Sequence, residues 1–299
     1  MTGNCYIELE SRGVLGVAGG DAAEFLQDLV SNDIAPAGAG QAVYAALLTP
    51  QGKYLHDFMV VKGADGFLLD CESARLMDLG QRLGAYRLRA DVELLDATED
   101  WRVAAVLGDS AAAPFGLADA EPGAAAALKG GGVIYRDPRP QMLGLRALLP
   151  RDTGFGPLAA AGFSLGTAAD YERARIAAGV PDGSRDMTVG KATLMEYGFE
   201  TLNGVDFDKG CYVGQELTAR TKYRGLVRRR LQRVFIDGPL PPPGTPVMAD
   251  GKEAGEIRSG LEDQALALLR LDRSSEAAEA GIPLTAGTAT LRLPENDTA

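Results

Sequence analysis

Phe25, Leu26, Leu29 and Val30 lie at i, i+1, i+4 and i+5 behind Asp21, which predicts a helix with Asp21 as its cap. The apolar run Val43–Leu48 stops at Thr49-Pro50-Gln51-Gly52, whose proline and glycine stand where a turn favours them. Residues 53–62 then read as a strand, and the turn Gly63-Ala64-Asp65-Gly66 leads into another at 67–71. Three strands in a meander are therefore expected. Ser73 opens a second helix with Leu76, Met77, Leu79 and Leu83 as its apolar set. Further strands are predicted at 92–95, 103–107, 132–135 and 143–149, and a helix at 168–178. The Ala/Gly/Pro-rich segment 109–132 reads as a surface connection or a soft helix. Strands and helices mix without a regular βαβ rhythm, so the class is α+β.

Beyond Gly225 the pattern changes. Residues 231–236 alternate apolar and polar positions, as a half-buried strand does. A proline-rich break at 239–244 precedes short strand candidates at 253–258, 265–271 and 289–293. Short strands punctuated by glycine and proline suggest a small C-terminal β-barrel or sandwich. The expected division is a body over residues 1–225 and a barrel over 226–299.

With 299 residues, 46% hydrophobic and 24% charged, the composition is that of a soluble globular chain. Its net charge of −11 argues against global attraction to nucleic acid or anionic lipid, while leaving room for a local basic site. Three separated cysteines (Cys5, Cys71 and Cys211) and a single histidine, His56, offer neither a disulfide framework nor a clustered metal site. Without an N-terminal basic-then-apolar signal pattern or a long apolar run, a cytoplasmic location is expected; a mature mitochondrial form stays open.

The densest chemistry is the octet Lys209-Gly210-Cys211-Tyr212-Val213-Gly214-Gln215-Glu216. Its glycines predict a tight loop. From the residues alone, a turn with a buried cysteine is the plainer expectation; a thiol activated by Lys209 is the other. Arg220, Lys222, Arg224, Arg228, Arg229, Arg230 and Arg233 follow as a basic island, suited to carboxylates or to an anionic protein.

The octet resembles the signature of the YgfZ family, folate-binding proteins of iron–sulfur cluster maturation related to the T-protein (aminomethyltransferase) of the glycine cleavage system. Leu29-Val30-Ser31-Asn32-Asp33-Ile34, Leu47-Leu48-Thr49-Pro50-Gln51-Gly52-Lys53, Tyr86-Arg87-Leu88-Arg89-Ala90-Asp91-Val92 and Thr218 to Gly225 are similar to further segments of that family. The resemblance implies a T-protein-like body of two intertwined α+β subdomains followed by a small β-barrel. It also implies tetrahydrofolate as ligand, in a central cavity against the octet loop, and iron–sulfur assembly or client proteins as partners. Candidate ligand contacts are Asp57, Glu196, Lys209, Tyr212, Gln215, Glu216, Arg220 and Arg224, with Cys211 as the functional thiol.

Two positions depart from the T-protein pattern. His56 replaces the first of two adjacent acids, and Ala177 stands where a glutamate is expected. Both weigh against the alternative reading, a folate-dependent aminomethyl or one-carbon transferase. A third reading is a non-enzymatic adaptor. Adjacent residues on a strand point to opposite faces, so His56 and Asp57 are not expected to form a dyad.

Overall fold

The computed structural model describes residues 4–140, 144–225 and 227–294. Residues 1–3 and 226, position 143 of a predicted strand, and positions 295–299 of the predicted barrel lie outside the described residues.

Two sheets face each other in the body. The first is an antiparallel five-stranded sheet in the order Val43–Leu48, Tyr54–Lys62, Gly66–Glu72, Arg12–Ala18, Glu93–Asp96. The predicted meander forms its first three strands. All six residues of Val43–Leu48 are buried, because the sheet is covered on both sides. Val43, Ala45 and Leu47 pack under the helices Ala22–Leu29 and Leu76–Tyr86, whereas Tyr44, Ala46 and Leu48 face the second sheet. The two-residue strand period thus divides one apolar run between two cores.

The second sheet has six strands, with Cys5–Glu8, Trp101–Leu107, Gly144–Pro150 and Val133–Arg136 in sequence across its middle. Its inner face contributes Ile7, Val103, Ala105, Tyr135 and Leu148 to the central core. The first strands, Cys5–Glu8 and Arg12–Ala18, belong to different sheets, which is how the halves of the body interlock.

Residues 229–292 hold the strands of a closed six-stranded antiparallel barrel, completed by pairing of Arg229–Asp237 with Ala289–Arg292. Along Arg229–Asp237, Val234 and Ile236 fill the barrel, whereas Leu231 packs into the body core. The α+β body with a C-terminal barrel is the architecture expected from the sequence.

Several local expectations are corrected. Asp21 does not cap its helix through its side chain; its carboxylate accepts from the Asp91 backbone N–H at 2.8 Å. Met77 is exposed rather than part of the helix's apolar face. Segment 109–132 is more than a surface link, and its helical content is the single 3-10 turn Ala113–Phe115. It packs Ala111, Leu117 and Leu128 against Ala104, Val106, Ile134 and Leu145 of the second sheet and supplies the edge strand Ala125–Ala127. The strands Pro246–Ala249 and Leu284–Ala286 and the helix Leu271–Glu279 were not anticipated.

Candidate functional site

A cavity of about 550 Å³ opens between the two sheets of the body, lined deep inside by Arg12, Asp57, Met59, Arg139, Arg146 and Tyr171. Asp57 lies on the central-core face of Tyr54–Lys62. Its Oδ2 accepts from the Tyr44 hydroxyl at 2.9 Å and its Oδ1 from the Tyr54 hydroxyl at 2.6 Å. Burial pushes the Asp57 carboxyl above the usual carboxylate range, against the pull of Arg12 and the two hydroxyls. Burial and the neighbouring Asp57 charge also push both tyrosine hydroxyls well above their ordinary range, so they stay protonated and donate.

His56 points the other way, as strand alternation requires. Its Nε2 lies 2.9 Å from Asp78 Oδ2 beneath the helix Leu76–Tyr86. Burial, then the adjacent Arg75, lowers its pKa to about 4. The histidine is therefore neutral at physiological pH and lies away from the cavity.

The arginines of the wall are held by buried acids. Arg12 Nε and Arg146 Nη2 each donate to Asp70, on separate oxygens, at 2.6 Å. Burial alone would raise the Asp70 carboxyl, but the two guanidinium groups outweigh it and hold it below its usual range. Arg139 forms a two-pronged pair with Asp137 at 2.8 and 2.7 Å. The roof is the short turn Gly183–Asp186. Gly183 has φ +47°, a left-handed conformation that favours glycine, and a Cβ there would crowd Glu72 Oε2 at 3.1 Å while standing in ordinary contact, 3.5 Å, with Asp57 Oδ1. Ser184 Oγ fastens the roof by donating to Glu72 Oε1 at 2.7 Å.

The octet stands elsewhere. The Lys209 ammonium donates to the carbonyls of Gln27, Val30 and Asn32 at 2.6, 2.6 and 2.9 Å, covering the C-terminal end of the helix Ala22–Leu29. Burial lowers its pKa to about 8. The Tyr212 ring is buried, and Gln215 Oε1 accepts from the Tyr212 backbone N–H at 3.1 Å. Gly214 (φ +83°) lies against the turn at Gly52, where an added Cβ would meet the Gly214 carbonyl at 2.7 Å. The octet loop is thereby clamped to the Thr49–Gly52 turn before the helix Gln215–Tyr223 begins.

Cys211 is exposed with a free thiol, contrary to the expectation of a buried cysteine. Glu216, Arg220 and Arg224 are exposed on and just after that helix. Glu196 accepts from Arg229 Nε of the barrel at 2.8 Å and from Thr193 Oγ1 at 2.9 Å. Asp57 is the sequence candidate that lines the cavity; no octet residue does. A single pocket with the octet as its wall is thus replaced by two separate places, a buried cavity and an outer loop.

Sequence reasoning passed over Arg12, Asp70, Arg139, Arg146 and Tyr171. A signal was present: Asp70 and Arg146 are lone charges within the otherwise apolar runs Phe67-Leu68-Leu69-Asp70-Cys71 and Leu145-Arg146-Ala147-Leu148-Leu149. A charge on a buried strand needs a partner. Among the described residues, no three His, Cys, Asp or Glu side chains come together as metal ligands, and no helix is long and apolar enough to cross a membrane.

This arrangement defines a GCVT-like body joined to a β-barrel. Residues 4–116 match the GCVT N-terminal domain family, and residues 228–298 match the CAF17 C-terminal beta-barrel domain family. The fold is similar to that of glycine cleavage system aminomethyltransferase T from Bartonella henselae. That likeness has a TM-score of 0.76 at 17% identity and covers 97% of this chain and 84% of that one. At such identity it speaks for the fold alone.

The chain is 39% identical over 283 residues to the mitochondrial iron–sulfur cluster assembly factor IBA57 of Homo sapiens, covering 89% of this chain and 77% of the relative. The Mus musculus protein of that name is 36% identical with the same coverage. The Mycosarcoma maydis homologue is 31% identical over 88% of this chain and 72% of its own length. The chain belongs to the IBA57 family of iron–sulfur cluster assembly factors. These relatives are mitochondrial by name, which overturns the cytoplasmic location expected from the sequence.

Proposed function

We propose that the protein acts in the assembly or repair of iron–sulfur clusters in client enzymes, and that it does so as a tetrahydrofolate-binding factor. The family supports the first part. The observation that carries the second is the Asp57 carboxylate in the central cavity, at a volume within the usual range for small-molecule sites. Each Asp57 oxygen accepts one tyrosine hydroxyl and retains acceptor capacity. A pterin presents an aminopyrimidinone edge with N–H donors and a carbonyl acceptor. Asp57 would accept from its donors. Bound folate would supply a one-carbon acceptor or an effector; the protein's part is to hold it in a site roofed by Gly183.

In this reading Lys209, Tyr212 and Gln215 shape the octet loop, and Cys211, Glu216, Arg220 and Arg224 offer it to a protein partner. The transferase alternative has less support. His56 turns away from the cavity, and Ala177 carries no carboxylate.

Replacement of the protein in its own cells by Asp57→Asn, with iron–sulfur enzyme activities as readout, tests the proposal. Loss of those activities at normal protein abundance is expected. Full activity from an Asp57→Asn protein that no longer binds tetrahydrofolate would separate the folate from the function.

A further inference from the structure

Asp70 is shared by Arg12 and Arg146, so this part of the wall carries two guanidinium charges on one carboxylate. Asp70 uses one side-chain oxygen for each arginine, and its backbone carbonyl accepts from Arg12 Nη2 at 2.5 Å. Donors remain on both arginines. Arg146 Nη1 has only a long contact of 3.4 Å to the Tyr171 hydroxyl, and Arg12 Nη1 has no hydrogen-bond partner among the described residues. Arg12, Arg146 and Tyr171 all line the cavity. Just behind the wall, the Tyr135 hydroxyl and Arg146 Nε are buried without hydrogen-bond partners among the described residues.

Acids line the same cavity: Asp57, whose charge acts on Arg12, together with Glu8, Glu10, Glu172 and Asp182. An anion subsite here therefore rests on the spare N–H donors and not on a net positive charge. Arg139 is neutralised by Asp137. Asp57 is engaged by tyrosine hydroxyls rather than by a guanidinium fork. Glu172 at the rim is already paired with Arg175 and Arg185. Convergent guanidinium groups with spare N–H donors in a water-poor site suit a carboxylate, whose two oxygens can take several charge-assisted hydrogen bonds.

We propose that Arg12 and Arg146, held in place by Asp70, form an anion subsite of the cavity that seats a carboxylate group of its ligand. If the ligand is a folate, which rests on the function proposed above, the group is a carboxylate of its glutamyl end. The same subsite would take a separate small carboxylate, and the experiment distinguishes the two.

The test compares binding of tetrahydrofolate and of tetrahydropterin, which lacks the glutamyl carboxylates, under anaerobic conditions. The proteins are the wild type, Arg146→Lys and Arg12→Lys, each first checked for an intact melting transition. In parallel, sodium formate is compared with sodium chloride at matched ionic strength for its effect on the melting temperature. Tetrahydrofolate should bind the wild type about 10- to 100-fold more tightly than tetrahydropterin, the range expected for charge-assisted hydrogen bonds. That gap should collapse in the folded lysine variants without weakening tetrahydropterin. Formate stabilisation of the wild type, absent in the variants, supports a small separate carboxylate. It would do so even if neither folate compound bound, a result that sinks the folate reading alone. Absence of a formate effect, together with a gap that is missing in the wild type or unchanged in the variants, overturns the subsite. Equal weakening of both folate compounds in the variants, again without a formate effect, overturns it too, because the arginines then serve only the framework.

Discussion

Lys209 Nζ lies 2.6 Å from the carbonyl oxygen of Val30, one of three carbonyls it holds at the end of the helix Ala22–Leu29. The most recognisable lysine of the chain therefore has a structural task. Its donors close a helix end whose last carbonyls have no partner within the helix. Replacing Lys209 by methionine should lower stability by about 2–3 kcal/mol, since charge-assisted hydrogen bonds are lost and their acceptors stay partly buried. Urea unfolding measures this, and an unchanged midpoint would contradict the assignment.

His56 supplies a pH dependence. Its pKa in the fold is about 4, below the ordinary 6.5, because burial and Arg75 disfavour the imidazolium. Between those values the unfolded chain binds more protons than the folded one. The contribution is thus fully present above pH 6.5 and is lost as pH falls toward 4. Wild-type protein should lose about 3 kcal/mol more than His56→Gln between pH 7 and pH 4. Parallel stability profiles for the two proteins would refute it.

Arg175 is a buried joint between body and barrel. It is fully buried and donates to Glu172, Asp186, the Val180 carbonyl and Ser259 of the barrel, the last at 2.8 Å. Arg175→Met should cost about 3–5 kcal/mol, because it strands the buried Asp186 carboxylate without its guanidinium partner. Denaturation followed by hydrogen exchange should show early loss of protection around Ser259. A cost below about 1 kcal/mol would mean that the joint is held by apolar packing instead.

The three thiols should react unequally. Cys211 is exposed, whereas Cys5 and Cys71 are buried, and burial pushes the Cys71 thiol up to about 12. Brief treatment with iodoacetamide, read by peptide mass spectrometry, should label Cys211 alone. Cys211→Ser should alter stability by no more than about 0.5 kcal/mol. Any effect on cluster enzymes would then come from surface chemistry rather than from folding.

The sequence carried the architecture well and the cavity poorly, for physical reasons. Helix ends, turns and strand periods are local, and the break after Gly225 announced the barrel through its short punctuated strands. The octet was legible as a motif, but its residues are spent on one another and on neighbouring backbone: Lys209 on a helix end, Gln215 on Tyr212, Gly214 on Gly52. Nothing local distinguishes such a loop from a ligand wall. The cavity is assembled from Arg12, Asp57, Asp70, Arg139 and Arg146, which lie on separate strands and loops and meet only through sheet pairing. Asp57 was found because its segment resembled a known pattern. Segment 109–132 was misread because alanine and glycine carry weak periodicity, although three of its residues fill a core.

The most direct measurement is an anaerobic calorimetric titration of the protein with tetrahydrofolate, repeated with Asp57→Asn. The account predicts saturable one-to-one binding to the wild type. It also predicts affinity at least about tenfold weaker for the variant, as expected when a buried charged acceptor is removed. No heat of binding at high ligand concentration, or equal affinity in the two proteins, would contradict a folate site at Asp57.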